Sequence, residues 1–298
     1  MSHGIVRDWD GMERLWEHMY SSLNAKHEEH PVLLTEPPLN PYSNRDQLAQ
    51  IWFETLRAPA LYFTPSSVLS LYASGRTTGI VLDVGEGLTH ALPIYEGLAL
   101  PHAVVRSDVA GYEVTKALQK CLRQNGYPFG TTAEVEFVKQ LKEEVCVLGT
   151  TSDGGGTKAV MDYRLPDGRM MSLTAQERTM PPNVLFDPTL IGSEEPGVAD
   201  VLVNAIARSD MELRSKFYGQ IVLAGGSTLI QGFGDRLLHE LKQRTPSTKI
   251  RISAPPERLH SAYVGGSILA SLSSFKGMWV SRAESEEYGV NALHRRDV

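Results

Sequence analysis

Two joints between an apolar run and glycine carry the residue types that phosphate chemistry needs. In the first, Ile80-Val81-Leu82-Asp83-Val84-Gly85 continues into Glu86-Gly87; in the second, Ile221-Val222-Leu223-Ala224 continues into Gly225-Gly226-Ser227. A strand that breaks into glycine leaves backbone N–H groups open and puts no Cβ in the way of a phosphate. The second joint holds no acid, and the segment after it reads as helical. It therefore suits a phosphate or a ribose bound directly, helped by a helix N-terminus. Asp83 and Glu86 would repel a bare phosphate at the first joint. That loop makes sense with a hard divalent cation between carboxylates and phosphate oxygens, such as Mg²⁺ keeping most of its waters. Together the joints read as a metal–nucleotide clamp between two domains. The alternative is two ordinary tight turns, because a lone glycine-rich turn is a weak signal.

Other residues offer chemistry with less force. His90 follows the first turn and could order a water or act as a base; the commoner fate of a lone strand histidine is structural. Lys139, Lys142 and Glu143 share one helical segment and could line a nucleotide pocket, or form a solvated charged face. There is no Ser/His/Asp triad spacing, no Walker A motif, no GxGxxG and no zinc spacing. The similarity of the two joints is either an internal duplication or chance.

The elements that must position these residues follow from periodicity. Met12, Leu15, Trp16, Met19, Tyr20 and Leu23 fall on one helical face, with Asp10 and Glu13 spaced as a capping box. Strands are expected at 31–35 and 60–63, and Asn44 as the cap of a helix carrying Leu48, Ile51, Trp52 and Leu56. A helix at 67–73 precedes 78–95, which reads as a hairpin with its turn at Gly85-Glu86-Gly87. Helices follow at 112–125 and 132–148, then a loop at 149–158 with Gly154-Gly155-Gly156. Pro166-Asp167-Gly168 reads as a turn between short strands. Helices at 198–207, 211–218, 233–244 and 264–272 alternate with strands at 220–223 and 249–253. Such alternation indicates an α/β protein.

Composition narrows the class. The 298 residues are 42% hydrophobic and 21% charged, which suits a folded core and argues against disorder. Lys plus Arg number 29 against 35 Asp plus Glu, a net charge of −6, which disfavours nucleic-acid binding and a polybasic membrane surface. Two cysteines, Cys121 and Cys146, without CxxC spacing read as small hydrophobes in a reducing compartment. No apolar run is long enough to span a bilayer, and Met1-Ser2-His3-Gly4 lacks a signal-peptide layout.

The chain resembles actin and the actin-related proteins along nearly its whole length. The resemblance is carried by HGIVRDWDGMERLW at 3–16, EEHPVLLTEPPLNP at 28–41, SLYASGRTTGIVLD at 70–83 and PIYEGLALPHAVVRSDVAG at 93–111. LAGGST at 223–228, RISAPPERL at 251–259, VGGSILASL at 264–272 and HRR at 294–296 complete it. SDMELR at 209–214, GFGDRLL at 232–238 and KIRISAP at 249–255 are most similar to centractin, the filament-forming actin-related protein of dynactin.

The resemblance implies the two-lobe, ribonuclease H-like actin ATPase fold, with ATP or ADP and Mg²⁺ (or Ca²⁺) in the cleft. It divides the chain into 1–73 with 261–298 as an incomplete first lobe, 74–109 with 197–260 as the core of the second, and 110–196 as its outer part. Asp83, Gly85, Glu86 and Gly87 match the second phosphate loop, Asp83 facing the metal through water. Gly225, Gly226, Ser227 and Leu229 match the loop expected to hold the nucleotide from the other lobe. Gly111, Lys139, Lys142 and Glu143 match positions around sugar and base, and His90 the histidine that orders the attacking water. Tyr72, Leu269 and Leu272 match the hydrophobic groove where partner helices dock, and 186–197 the segment touching neighbouring subunits. The implied partners are other actin-family subunits and dynactin-like proteins, in the cytoplasm and cytoskeleton, with no nucleic acid and no membrane insertion.

Departures from the family pattern bear on turnover. No counterpart of the first phosphate loop, with its hydroxyl and lysine, occurs in the sequence, nor of the small outer subdomain. Ser66 stands where a glutamine positions the hydrolytic water, and is too short for that task. Glu86 replaces an aspartate and is expected to crowd the metal's water shell. Leu259 replaces a lysine near the base, and Tyr112 an arginine. The expected role is a filament or complex subunit acting through its surfaces. A slow polymerising ATPase, a nuclear chromatin-complex subunit and a shortened gene reading are the alternatives. An unpaired edge on the first lobe's sheet is expected.

Overall fold

Helix α1 (Trp9–Leu23) starts where Asp8, in extended backbone, accepts the amide of Gly11 at 2.9 Å. The expected cap, Asp10, lies inside the first turn instead, because helical geometry already begins at Trp9. The computed structural model describes residues 1–149, 160–165, 168–289 and 291–294. The Gly154-Gly155-Gly156 loop, Pro166-Asp167 of the expected turn and Arg295-Arg296 lie outside the described residues.

In chain order the strands are β1 (Val32–Glu36), β2 (Ala60–Pro65), β3 (Gly79–Val84), β4 (Thr89–Tyr95), β5 (Leu98–Ala99) and β6 (Val105–Ser107). They continue with β7 (Val160–Arg164), β8 (Met170–Thr174), β9 (Ile221–Ala224), β10 (Ile252–Ser253) and β11 (Val280–Ser281). After α1 come helices α2 (Tyr42–Gln50), α3 (Ser66–Ala73), α4 (Gly111–Gln124), α5 (Thr132–Val145) and α6 (Ala175–Asn183). Then follow α7 (Val198–Arg208), α8 (Met211–Tyr218), α9 (Phe233–Arg244) and α10 (Ser261–Ser271). Asn44 is not a cap either: α2 begins two residues earlier, behind Pro41, and runs on through a π-helical turn at Ile51–Thr55. Helix α6 had no counterpart in the periodicity, since Pro181 and Pro182 sit within it; its signal was the capping box Thr174 and Glu177.

The first sheet has the order β1-β2-β11, with β1 and β2 parallel from Val32↔Leu61 to Glu36↔Pro65. The second has the order β10-β9-β3-β4-β5, with β6 also on β4. Strands β7 and β8 form a separate hairpin. The two similar joints belong to adjacent parallel strands of the second sheet, in register Ile80↔Ile221, Val81↔Val222, Leu82↔Leu223 and Asp83↔Ala224. They are therefore not copies in two lobes, and a clamp with one glycine joint on each lobe is corrected.

A different repeat is present. β1–α2–β2–α3 and β9–α9–β10–α10 are each a parallel β-α-β unit followed by a helix. The two closing helices pack on one another so closely that a Cβ on Gly265 would sit 1.8 Å from the Leu69 carbonyl oxygen.

Three cores result. The largest joins one face of the second sheet to α4, α5, α7, α8 and α9, through residues such as Leu82, Leu118, Leu202 and Phe233. A second gathers Trp16, Leu48, Trp52, Leu61 and Val280 around the first sheet, with the Trp16 and Trp52 rings 5.2 Å apart. In a third, Val68 and Leu71 of α3 pack on Val81, Leu92 and Val222. The α1 stripe is only partly used: Trp16 is buried, whereas Leu15, Met19 and Leu23 are exposed.

Candidate functional site

The hairpin turn after β3 is closed by the Gly85 amide donating to the Leu88 carbonyl at 2.9 Å. Beside it opens a cavity of about 760 Å³. Asp83, Gly85, Glu86, Gly87 and His90 line it from the hairpin, Tyr112 from α4, and Ser66 and Thr35–Pro37 from the first-sheet side. Residues Met1–Gly4 also reach it: His3 Nδ1 lies 2.9 Å from the Gly87 carbonyl oxygen, and Arg106 donates to the His3 carbonyl at 2.8 Å.

Gly225 is required by space as well as by conformation. Its φ is +84°, and a Cβ there would lie 2.3 Å from the Val84 carbonyl oxygen and 2.5 Å from Asp83 Oδ1. The second joint thus presses against the first from the neighbouring strand. Gly226–Leu229 is a four-residue 3₁₀ turn and α9 begins only at Phe233, so the expected helix N-terminus at this loop is not formed. Ser227 donates its hydroxyl to the Gly85 carbonyl at 2.8 Å, and Gly226 is covered by the Leu259 side chain.

Glu86 is held by an ion pair. Its extra methylene lets the carboxylate reach Lys142, whose Nζ donates to Oε2 at 2.9 Å and to the Gly111 carbonyl at 3.0 Å. Lys142 is buried while Glu86 is part-exposed. Gly111 leaves room for this knot, since a Cβ would stand 2.5 Å from Ser227 Oγ and 2.7 Å from Glu86 Oε2. Gly111, Lys142 and Ser227 therefore lie behind the first loop, outside the residues lining the cavity. Lys139 pairs instead with Glu136 at 3.7 Å, Glu143 is exposed and Leu229 is half-exposed. None of these three lines the cavity. Tyr72, at the end of α3, donates to the Gly97 carbonyl, and Leu269 and Leu272 sit at the end of α10.

His90 pairs across the hairpin with Asp83 and is buried. Its Nε2 lies 2.5 Å from Ser67 Oγ, and Nδ1 is buried without a partner among the described residues. Ser66 donates to Asp83 Oδ2 at 3.3 Å. Ser67 is a residue that sequence reasoning missed, since nothing local distinguishes it from its neighbours. Burial holds the His90 ring below its ordinary pKa, with Arg106 adding to that and Asp83 opposing it. A histidine depressed in the folded state binds fewer protons there than when unfolded. Its contribution to stability is full above about pH 6.5 and is lost as pH falls below that. We expect thermal unfolding scans from pH 7 to 5 to show a fall in stability that His90→Gln makes shallower, by up to about 1.4 kcal/mol per pH unit. Equal slopes for both proteins would rule this out. Of the cysteines, Cys146 is buried and its thiol is pushed up to about 12 by burial, so it stays protonated.

Among the described residues no cluster of three His, Cys, Asp or Glu side chains could cage a metal. Of the carboxylates lining the cavity, Glu36 is paired with Arg45 and Glu86 with Lys142; Asp83, beside a glycine loop, fits a cation that keeps its waters and is held mainly by phosphate oxygens. The arrangement suits a metal–nucleotide complex better than a bare cation.

The sequence profile of the actin family, described as "Actin", matches residues 1–297. The chain belongs to the actin family. It is 52% identical over 292 residues to a protein described as "Actin-like protein" from Neurospora crassa, the match covering 94% of this chain and 77% of that one. The fold is accordingly the actin fold, α/β with several sheets. Actin-family proteins bind a nucleotide with a divalent cation and work in filaments or multi-subunit assemblies. No helix among the described residues is long and apolar enough to cross a membrane.

Proposed function

We propose that the chain is a centractin-like assembly subunit of a dynactin-type filament or complex, cytoplasmic and cytoskeletal, which holds Mg-nucleotide at the Asp83–Gly87 loop without turning it over. The observation carrying the second half is the pairing of the water-side groups with one another. The Ser66 hydroxyl is spent on Asp83, and His90 Nε2 is engaged by Ser67. When bound, the metal would offset the charge of the phosphates against Asp83. The glycines at 85 and 87 would admit phosphate, and Asp83 would accept hydrogen bonds from the metal's waters. A core of its own around the first sheet supports 1–73 with 261–298 as one unit, with α3 seated on the second sheet, whereas a single continuous core joins 74–109 and 197–260 to 110–196.

The test is nucleotide binding and phosphate release by the purified chain. A fluorescent ATP analogue should bind with Mg²⁺, and Asp83→Ala should weaken binding at least about ten-fold, roughly 1.4 kcal/mol. Phosphate release should stay at background for the parent protein and for Ser66→Gln, because Ser67 still holds His90. Rapid phosphate release by either protein would overturn the non-hydrolysing reading, and absence of Mg-dependent binding would overturn the site. High-speed pelleting with purified dynactin, against pelleting alone, tests the assembly half.

A further inference from the structure

We infer that Arg258 is a positioning residue for Asp83, on the footing of the Mg-nucleotide site proposed above. It anchors both of the contacts that fix the orientation of that carboxylate.

Asp83 is half-buried at the end of β3. Ser66 donates to its Oδ2 at 3.3 Å, and Gly225 stands so close to Oδ1 that a Cβ would come within 2.5 Å. Neither contact is stiff by itself. At 3.3 Å the hydrogen bond is long for a hydroxyl donor. A glycine, for its part, has the conformational freedom to draw back. Both supports must therefore be held from behind.

Both lead to one side chain. The Gly225 carbonyl accepts the Thr228 hydroxyl at 2.7 Å. Arg258 takes both oxygens of Thr228, Nε donating to Oγ1 and Nη2 to the carbonyl, each at 2.9 Å. On the other arm Ser70 donates to the Ser66 carbonyl at 3.0 Å and accepts from the Ser261 hydroxyl at 2.9 Å. Ser261 opens α10 three residues after Arg258, and its Oγ lies 3.1 Å from the Arg258 carbonyl oxygen. The ring of contacts thus closes on Asp83 from two sides. Ser70, Thr228 and Ser261 are buried, so water does not readily replace a hydrogen bond lost from it.

The choice of arginine points the same way. Arg258 has no acid partner among the described residues; Nη1 donates to the Pro255 carbonyl at 2.8 Å. Burial of a cation without a counter-charge is unfavourable and draws its pKa down. What the guanidinium adds is a planar fork that grips two acceptors of one residue at once, which an ammonium does not match. Groups that orient a metal-side carboxylate in this way commonly change metal affinity by roughly ten- to a hundred-fold when removed.

The test measures binding of a fluorescent ATP analogue to the 298-residue chain, once with Mg²⁺ and once with EDTA. The ratio of the two dissociation constants isolates the metal-dependent part. Arg258→Lys keeps the charge and loses the fork, Thr228→Val keeps the shape and loses the hydroxyl, and Ser70→Ala interrupts the other arm. Each should lower the ratio about ten-fold and leave the EDTA value within about two-fold of the parent. Thr228→Ser, which restores the hydroxyl, should return the ratio to that of the parent. Circular dichroism selects the variants that are folded at the temperature of measurement. With a metal-dependent parent, an unchanged ratio in any of the three folded variants would overturn the positioning role and leave the site standing. Equal losses with Mg²⁺ and with EDTA would overturn it too, since they report a loosened fold. A parent whose binding ignores Mg²⁺ would overturn the site and the positioning role together.

Discussion

Gly265→Ala is expected to lower stability by about 4 kcal/mol and the melting temperature by roughly 10 °C. The added methyl would stand 1.8 Å from the carbonyl oxygen of Leu69 and 2.5 Å from its carbon. Both are main-chain atoms of α3, so no rotamer change relieves the overlap. The helices must part by roughly 1–2 Å to recover ordinary van der Waals separation. That movement reaches the site, because Ser66 and Ser67 form the first turn of α3 and touch Asp83 and His90. The matched control is Gly234→Ala in α9, where the new Cβ would meet nothing within 4 Å. There alanine should stabilise the helix by about 0.5–1 kcal/mol. Calorimetry on the two variants decides the matter. A melting temperature for Gly265→Ala within about 2 °C of the parent would mean that α10 and α3 are not wedged together as described.

What the sequence disclosed about the site was its local part. The hairpin from Gly79 to Tyr95 was legible because apolar runs flank a glycine turn, and that pattern needs no information from elsewhere in the chain. The family resemblance added the expectation that Asp83, Gly85, Glu86 and Gly87 form a phosphate loop. That the two glycine joints are neighbours in one sheet was not legible, since their register joins residues some 140 positions apart. The same limit concealed Ser67, whose contact with His90 crosses from the first β-α-β unit into the second sheet. Caps were misplaced by two residues at Asp10 and by three at Asn44, because several candidate residues crowd each helix start and only backbone dihedrals choose among them. The exposed half of α1 shows the converse error. Periodicity identifies which face is apolar, but not whether anything packs on it.

The fate of Glu86 leads to the second large effect, an asymmetry between the two halves of one ion pair. Lys142 is 4% exposed and has two acceptors, Glu86 Oε2 and the Gly111 carbonyl. Glu86 is 40% exposed at its side chain and can be rehydrated from the cavity. Removing the carboxylate with Glu86→Leu strands a buried ammonium, a loss of about 3 kcal/mol. Removing the ammonium with Lys142→Met leaves a carboxylate within reach of water, and should cost only about 1 kcal/mol. In the double variant no charge is orphaned, so its stability should exceed that of Glu86→Leu alone, and a double-mutant cycle should show strong non-additivity. Urea unfolding of the four proteins measures all three quantities. Equal costs for the single variants, or additive ones, would mean that Lys142 reaches solvent or another acceptor once Glu86 is gone. The pair would then be a surface contact rather than the buried tie that draws the first loop back towards α4 and α5. The same tie gives the glutamate at position 86 a structural role of its own. The glutamate side chain spans the distance to Lys142, and of the carboxylates lining the cavity Asp83, beside Gly85 and Gly87, is the one with no ion pair among the described residues.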